Sequence, residues 1–259
     1  MNNQIMFEGM VISEEEAVRI VTGYPEDLVR IKNQTYEMCL EAVKVNPCVL
    51  KYIENQTEEM CIEAVKKYFW TLGDVKNQTE RVCIEAVRKQ PWALQYVKNQ
   101  TEKICIEAVK RNGLALQFVK NQTEDICMES VKEDGKALRF VKDKYKTKEI
   151  CMKAVIENGR ALKYVKNEYK TEEMCLIAVK QSGVNLQYVE NQTEEICLEA
   201  VKNRGQILRF VKNQTEKVCI EALNSNMKNM KYLNEDMKAK MIEKGIISAQ
   251  AFLCRMPNQ

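Results

Sequence analysis

Residues 99–120 read Asn99-Gln-Thr-Glu-Lys-Ile-Cys-Ile-Glu-Ala-Val-Lys-Arg-Asn-Gly-Leu-Ala-Leu-Gln-Phe-Val-Lys120. The block carries two helical signals. Thr101 is a good N-cap, and Glu102 places a carboxylate in the first turn, where the positive end of the helix dipole favours it. Ile104, Cys105, Ala108 and Val109 follow at helical spacing and form one apolar stripe. Gly113 is expected to end this helix in the left-handed conformation. Ala115, Leu116, Phe118 and Val119 give a second short helix its apolar side; Asn121 closes it and Thr123 caps the next.

The block recurs along the chain. Cysteine stands at Cys39, Cys61, Cys83, Cys105, Cys127, Cys151, Cys175, Cys197 and Cys219, spaced 22 residues apart except for two steps of 24 on either side of Cys151. The Gly113 column also holds Gly135, Gly159, Gly183 and Gly205; earlier it holds Pro47 and Pro91, which suit the first position of a following helix. Self-similarity at such a period marks a repeat architecture. A leucine-rich repeat can have this length, but its alternating leucines followed by Asn are not present. Helices this short are marginal alone and become stable by stacking on neighbours. The expected fold is all-α: an α-solenoid of 22–24-residue helix-turn-helix repeats forming an elongated superhelix.

The register sets the boundaries. Residues 1–10 are an N-terminal tail. Residues 11–32 are a degenerate N-capping repeat, with Ser13 in the Thr column, Ala17 in the Cys column and Pro25 in the Pro column. Residues 33–234 hold nine repeats. Residues 235–259 form a C-terminal helical cap and tail, in which a helix runs from Asn234 through Lys244 and a second segment covers Ile246–Leu253.

Composition narrows the function. Histidine is absent, which removes the commonest general base, the Ser-His and Cys-His pairs and every His-containing metal site. Lys+Arg is 40 against 37 Asp+Glu, too balanced for bulk charge to imply nucleic acid or an anionic membrane. Met1–Met10 does not read as a signal peptide, and the apolar stretches fall short of the ~20 residues of a membrane span. The eleven cysteines therefore read as reduced thiols in a cytosol-like compartment.

The block Asn191-Gln-Thr-Glu-Glu-Ile-Cys-Leu-Glu-Ala-Val-Lys202 closely resembles an uncharacterised helical repeat family, a domain of unknown function, of giant DNA viruses of amoebae with scattered bacterial members. The resemblance covers about residues 33–234. It implies a helical repeat protein of viral origin, acting in the host cytoplasm or virus factory or carried in the virion, and not secreted. It implies no activity and no site. Two turns depart from the motif: Asp143-Lys-Tyr-Lys-Thr147 and Asn167-Glu-Tyr-Lys-Thr171.

Each recurring column has a structural and a functional reading. Neighbouring cysteines at a stacking distance of ~8–10 Å are too far apart for a disulfide and lack the Cys-x₂₋₄-Cys pair of a zinc site. The column is read as a small apolar residue in a tight helix contact, with Cys48 and Cys254 outside it and more exposed. The Asn-Gln-Thr triplet occurs seven times and formally matches a glycosylation acceptor, but helix closure and capping already account for it. Glu41, Glu63, Glu85, Glu107 and Glu129 beside Lys44, Lys66, Arg88, Lys110 and Lys132 read as a solvated ion-pair ladder rather than catalytic carboxylates.

Two sets remain as candidates. A basic stripe at the ends of the second helices, Lys98, Lys120, Lys142, Lys166 and Lys212 with Arg139, Lys163 and Arg209 three residues before the last lysine of their own repeats, could follow a phosphate backbone; its structural reading is dipole complementation. The column after the turn is the variable one: Cys48, Trp70, Trp92, Leu114, Lys136, Arg160, Val184, Gln206 and Lys228. With Tyr68 and Phe69 beside Trp70, its apolar half forms a candidate partner-binding patch of Tyr68, Phe69, Trp70, Trp92 and Leu114, with the two tryptophans side by side. The alternative is that the tryptophans fill the gap left by a missing turn glycine. The leading expectation is a non-enzymatic protein-interaction scaffold, with no catalytic, cofactor or metal residues, a protein partner or a second copy as ligand, and no membrane. The alternative is a nucleic-acid-associated protein that binds phosphates through the basic stripe.

Overall fold

The structure, a computed structural model, describes residues 4–248. The chain divides into two compact units, Met1–Glu133 and Asp134–Gln259. In each, helical repeats pack neighbour to neighbour as an all-α solenoid. The long helices of the first unit are Glu14–Gly23, Tyr36–Val45, Glu58–Lys67, Glu80–Lys89, Glu102–Arg111 and Glu124–Glu133; those of the second are Lys148–Glu157, Glu172–Gln181, Glu194–Asn203, Glu216–Ser225 and Glu235–Glu243.

Most long helices start with the expected threonine cap, Thr35 and Thr215 standing at the cap position without the side-chain bond. The Thr101 hydroxyl accepts the Ile104 N–H, and Thr57, Thr79, Thr123, Thr147, Thr171 and Thr193 cap their helices in the same way. The stripe Ile104, Cys105, Ala108 and Val109 is buried. The second element of each repeat is not an α-helix. It is a six-residue 3₁₀ segment, such as Gly113–Phe118, entered through an extended residue whose carbonyl accepts the first turn's N–H. Asn46, Asn112, Asp134, Asn158 and Asn226 occupy this entry position, and their side chains accept the N–H two residues on.

With three residues per turn, side chains at i and i+3 eclipse. The segment Gly113–Phe118 therefore has three rows. Gly113 and Leu116 are buried, Ala115 is buried with half-buried Phe118 beside it, and Leu114 with Gln117 faces out. Val119 closes the segment by donating to the Leu116 carbonyl, so the expected closing role of Asn121 falls to the valine.

The glycine column differs from expectation. Positive φ occurs at Gly9, Gly245, Glu8 and Asn33, and Gly113, Gly135, Gly159, Gly183 and Gly205 are not left-handed. Gly135, Gly159, Gly183 and Gly205 are needed for close approach instead. A Cβ on Gly135 would lie 2.2 Å from the Ala154 carbonyl oxygen of the next long helix, and one on Gly183 would lie 2.4 Å from that of Ala200.

The expected N-terminal tail is partly structured. Strands β1 (Met6–Phe7) and β2 (Met10–Val11) form a hairpin, and β3 (Ile31–Lys32) pairs with β1 on its other side, giving an antiparallel order β2-β1-β3. Glu8 and Gly9 both have positive φ, as the tightest hairpin turn requires. The helix expected after Asn234 is present as Glu235–Glu243, capped by the Asn234 side chain. The segment from 249 onward, including Cys254 and most of Ile246–Leu253, lies outside the described residues.

Candidate interaction surface

The polar residues of the turns hold one repeat to the next. The Gln100 amide donates to the Leu94 carbonyl of one 3₁₀ segment at 3.1 Å and to the Phe118 carbonyl of the following one at 2.9 Å. Its oxygen accepts the Lys120 N–H at 2.9 Å and the Cys105 thiol at 4.0 Å. Gln56 and Gln78 make the same set of bonds. The threonines also work across the junction: Thr79, Thr123, Thr193 and Thr215 donate to Glu58, Glu102, Glu172 and Glu194 of the preceding repeats. The Gln column had no role in the sequence reading. Its signal was its recurrence five residues before the Cys in seven repeats, but its partners in the next repeat are 18 and 20 residues on.

The cysteines sit in the core as the column predicted. Seven of them, Cys39, Cys61, Cys83, Cys105, Cys151, Cys197 and Cys219, have thiols pushed up to about 11, chiefly by burial. Cys48, outside the column, is half-buried. At the two lengthened turns Lys146 and Lys170 take the glutamine's place. The Lys170 ammonium reaches the Tyr188 carbonyl at 2.9 Å and Asn167 Oδ1 at 2.8 Å. Cys175 lies beside it in a polar cleft of about 340 Å³, its thiol raised by burial but pulled back by the Lys170 charge.

The charged ladder lies on the long helices and is ion-paired. Glu41 meets Lys44, Arg88 bridges Glu85 and Glu107, and Glu129 takes both Lys110 and Lys132. The Arg88 hydrogen bond holds the Glu107 carboxyl below its ordinary range, and Lys132 does the same for Glu129.

The outward row of the 3₁₀ segments is the most variable surface. In the first unit its leading positions are Cys48, Trp70, Trp92 and Leu114, with Lys51, Gln95 and Gln117 three residues on. Tyr68 takes the entry position, where five other repeats have a capping Asn or Asp, and stacks on Trp70 with centroids 4.7 Å apart. Phe69, in the Pro/Gly column, meets Trp70 edge-on at 5.3 Å and Tyr96 at 6.2 Å. Trp70 is 45% exposed. Trp92 is half-buried and meets Phe118 edge-on at 5.6 Å, so its ring partner is Phe118 rather than Trp70. Leu114 is half-buried in the next repeat.

The basic stripe separates into three groups. Lys98 donates through its ammonium to the Val75 carbonyl, Lys120 to Val97 and Lys98, and Lys212 to Glu190, so these cap the preceding repeat's 3₁₀ segment. Lys142 is exposed and Lys166 half-buried at the lengthened turns. Arg139, Lys163 and Arg209 lie in the outward row, each over the next residue's ring: Phe140 at 4.3 Å, Tyr164 at 5.8 Å and Phe210 at 4.6 Å.

The profile of a domain of unknown function, DUF4116, matches residues 123–170 and 171–214 in tandem. Both matches begin at a cap threonine, Thr123 and Thr171, and together they span two repeats each. No curated protein and no solved structure matches the chain. Among the described residues no helix is long and apolar enough to cross a membrane.

Proposed function

We propose that this chain is a non-enzymatic protein-interaction scaffold whose first unit presents the partner site. The observation that supports this reading is the Tyr68–Phe69–Trp70 cluster: three consecutive aromatics whose largest member stays 45% exposed on a rigid stack. Exposed aromatic anchors on packed elements bind at low entropic cost. The buried thiols, held protonated by desolvation, favour a scaffold over thiol catalysis. Trp92 and Leu114 extend the surface from half-buried positions. The motif resemblance alone supplies the setting, a giant virus and the cytoplasm or virus factory of its host.

Trp70→Ala is expected to weaken association by more than ~2 kcal/mol, as a hot spot does, and to leave thermal stability nearly unchanged. Sedimentation of the full chain tests self-association, and capture from host lysate tests a foreign partner. A large loss of stability with unchanged association would make the tryptophan a packing residue and end this reading.

A further inference from the structure

The second unit exposes a different row at the same positions. Lys136 and Arg139 in Gly135–Phe140, Arg160 and Lys163 in Gly159–Tyr164, and Lys228 and Lys231 in Met227–Tyr232 stand at i and i+3 of 3₁₀ segments, so each pair eclipses on the solvent side. All six side chains are exposed. Arg209 continues the row in Gly205–Phe210. The five six-residue 3₁₀ segments of this unit, Gly183–Tyr188 included, contain no Asp or Glu. Among the described residues none of these seven cations is ion-paired, whereas lysines and arginines of the long helices meet carboxylates. The near-neutral net charge therefore conceals a segregated cationic row.

Every segment of this row also ends in an aromatic, half-exposed residue: Phe140, Tyr164, Tyr188, Phe210 and Tyr232. Four of them lie under the preceding cation, at 4.3 to 5.8 Å. Consecutive 3₁₀ segments are in contact, so the cation–ring pairs follow one another along the stack, interrupted at Gly183–Tyr188, where Val184 and Gln187 take the outward positions. Unpaired cations interleaved with ring faces suit a chain that carries phosphates and flat bases; an acidic peptide would use the charges and leave the rings without a role. The row repeats nearly the same residues, so it lacks the position-by-position variation of a base-reading code.

We infer that the 3₁₀ face of the second unit binds single-stranded nucleic acid without sequence preference, its cations on the phosphates and its rings against the bases. The test is fluorescence anisotropy of the full chain with a labelled oligothymidylate of about 20 nucleotides at low and near-physiological salt. The wild type is expected to bind at low salt and lose about tenfold or more in affinity at the higher salt. Arg139→Gln with Lys163→Gln and Arg209→Gln should weaken binding at least about tenfold and flatten the salt dependence. Lys110→Gln with Lys132→Gln and Lys202→Gln removes the same charge from the long helices and should change binding less than about twofold. Phe210→Leu should cost about fivefold with the salt slope preserved. Should a triple variant melt early, Lys136→Gln with Arg160→Gln reads the same row. No binding at low salt overturns the inference, as do equal losses from both triple variants. Tighter binding of polyglutamate than of the oligonucleotide would make the ligand an acidic protein and overturn it too.

Discussion

The units Met1–Glu133 and Asp134–Gln259 run the same repeat with three differences. The outward row carries Cys48, Trp70, Trp92 and Leu114 in the first unit and Lys136, Arg160, Val184, Gln206 and Lys228 in the second. The first 3₁₀ position holds Pro47, Phe69, Pro91 and Gly113 in one, and Gly135, Gly159, Gly183, Gly205 and Met227 in the other. The turn is a glutamine throughout the first unit's repeats from Gln34 on, whereas Lys146 and Lys170 replace it twice in the second. The shared parts, buried stripe and capping threonine, define the stack. The outward row faces solvent, so it is free to diverge.

The comparison can be broken at the glycines first. Gly135→Ala forces a Cβ to 2.2 Å from a backbone oxygen, with Asn158 also close, and is expected to cost ~3 kcal/mol. Pro91→Ala, at the equivalent place in the first unit, should cost ~1 kcal/mol or less through added freedom of the unfolded chain. Denaturant unfolding measures both. Similar losses would show that the second unit is not more tightly approached at this position.

The turns come next. Gln100→Leu removes two donated bonds and one accepted bond spanning two repeats, at an expected cost of ~2–3 kcal/mol. Lys170→Met removes the bonds to Tyr188 and Asn167, part-buried and open to solvent, and should cost ~1 kcal/mol. A larger loss at Lys170 would make the lengthened turn the stronger joint.

Alkaline pH sharpens the same contrast. The folded thiols titrate near 11 while ordinary thiols titrate near 9, so the unfolded state releases protons first. Stability should hold up to about pH 9 and fall by ~2 kcal/mol per thiol as pH rises toward 11. Cys175, beside the Lys170 ammonium, is expected to ionise and react with a thiol reagent before Cys105. Mass spectrometry of a timed labelling reaction reads the order, and simultaneous labelling would count against the lysine's influence.

The smallest effect lies on the acid side. The Glu107 carboxyl is held low by Arg88, so its contribution is present above the ordinary carboxylate range and fades as pH falls through the lowered value. The pair is exposed, and the slope it adds to an acid unfolding curve should be slight. Arg88→Gln should remove that slope; an unchanged curve would show the ladder to be neutral for stability.

Much of the stack is legible in the chain itself. The cap threonines, the apolar stripe and the buried cysteines are set by spacing within ten residues, and the structure has them where the register put them. The aromatic cluster was legible by composition, but its grouping was not: Trp92 turns to Phe118 because that ring ends the next 3₁₀ segment. The cationic row was scattered over two columns in the sequence reading. Lys136, Arg160 and Lys228 stood in the variable column and Arg139 in the basic stripe. Only the eclipsed geometry of a 3₁₀ turn puts them in one line, since an α-helix would offset i and i+3 by about 60°.

Sequence alone thus determined the repeat, its register and its core, because these depend on periodic burial and on caps that act within one turn. Tertiary structure decided the rest. The last carbonyl of a six-residue 3₁₀ segment is taken by a side chain of the preceding turn, as Phe118 is by Gln100 and Tyr188 by Lys170. The glycines are fixed by a carbonyl about twenty residues on, as Gly135 is by Ala154. Residues 6–11 become a hairpin by pairing with Ile31 and Lys32, since two-residue strands carry no alternation to read. In each case the deciding partner lies in another repeat or beyond a whole helix, and a local pattern holds no trace of a contact made at that separation.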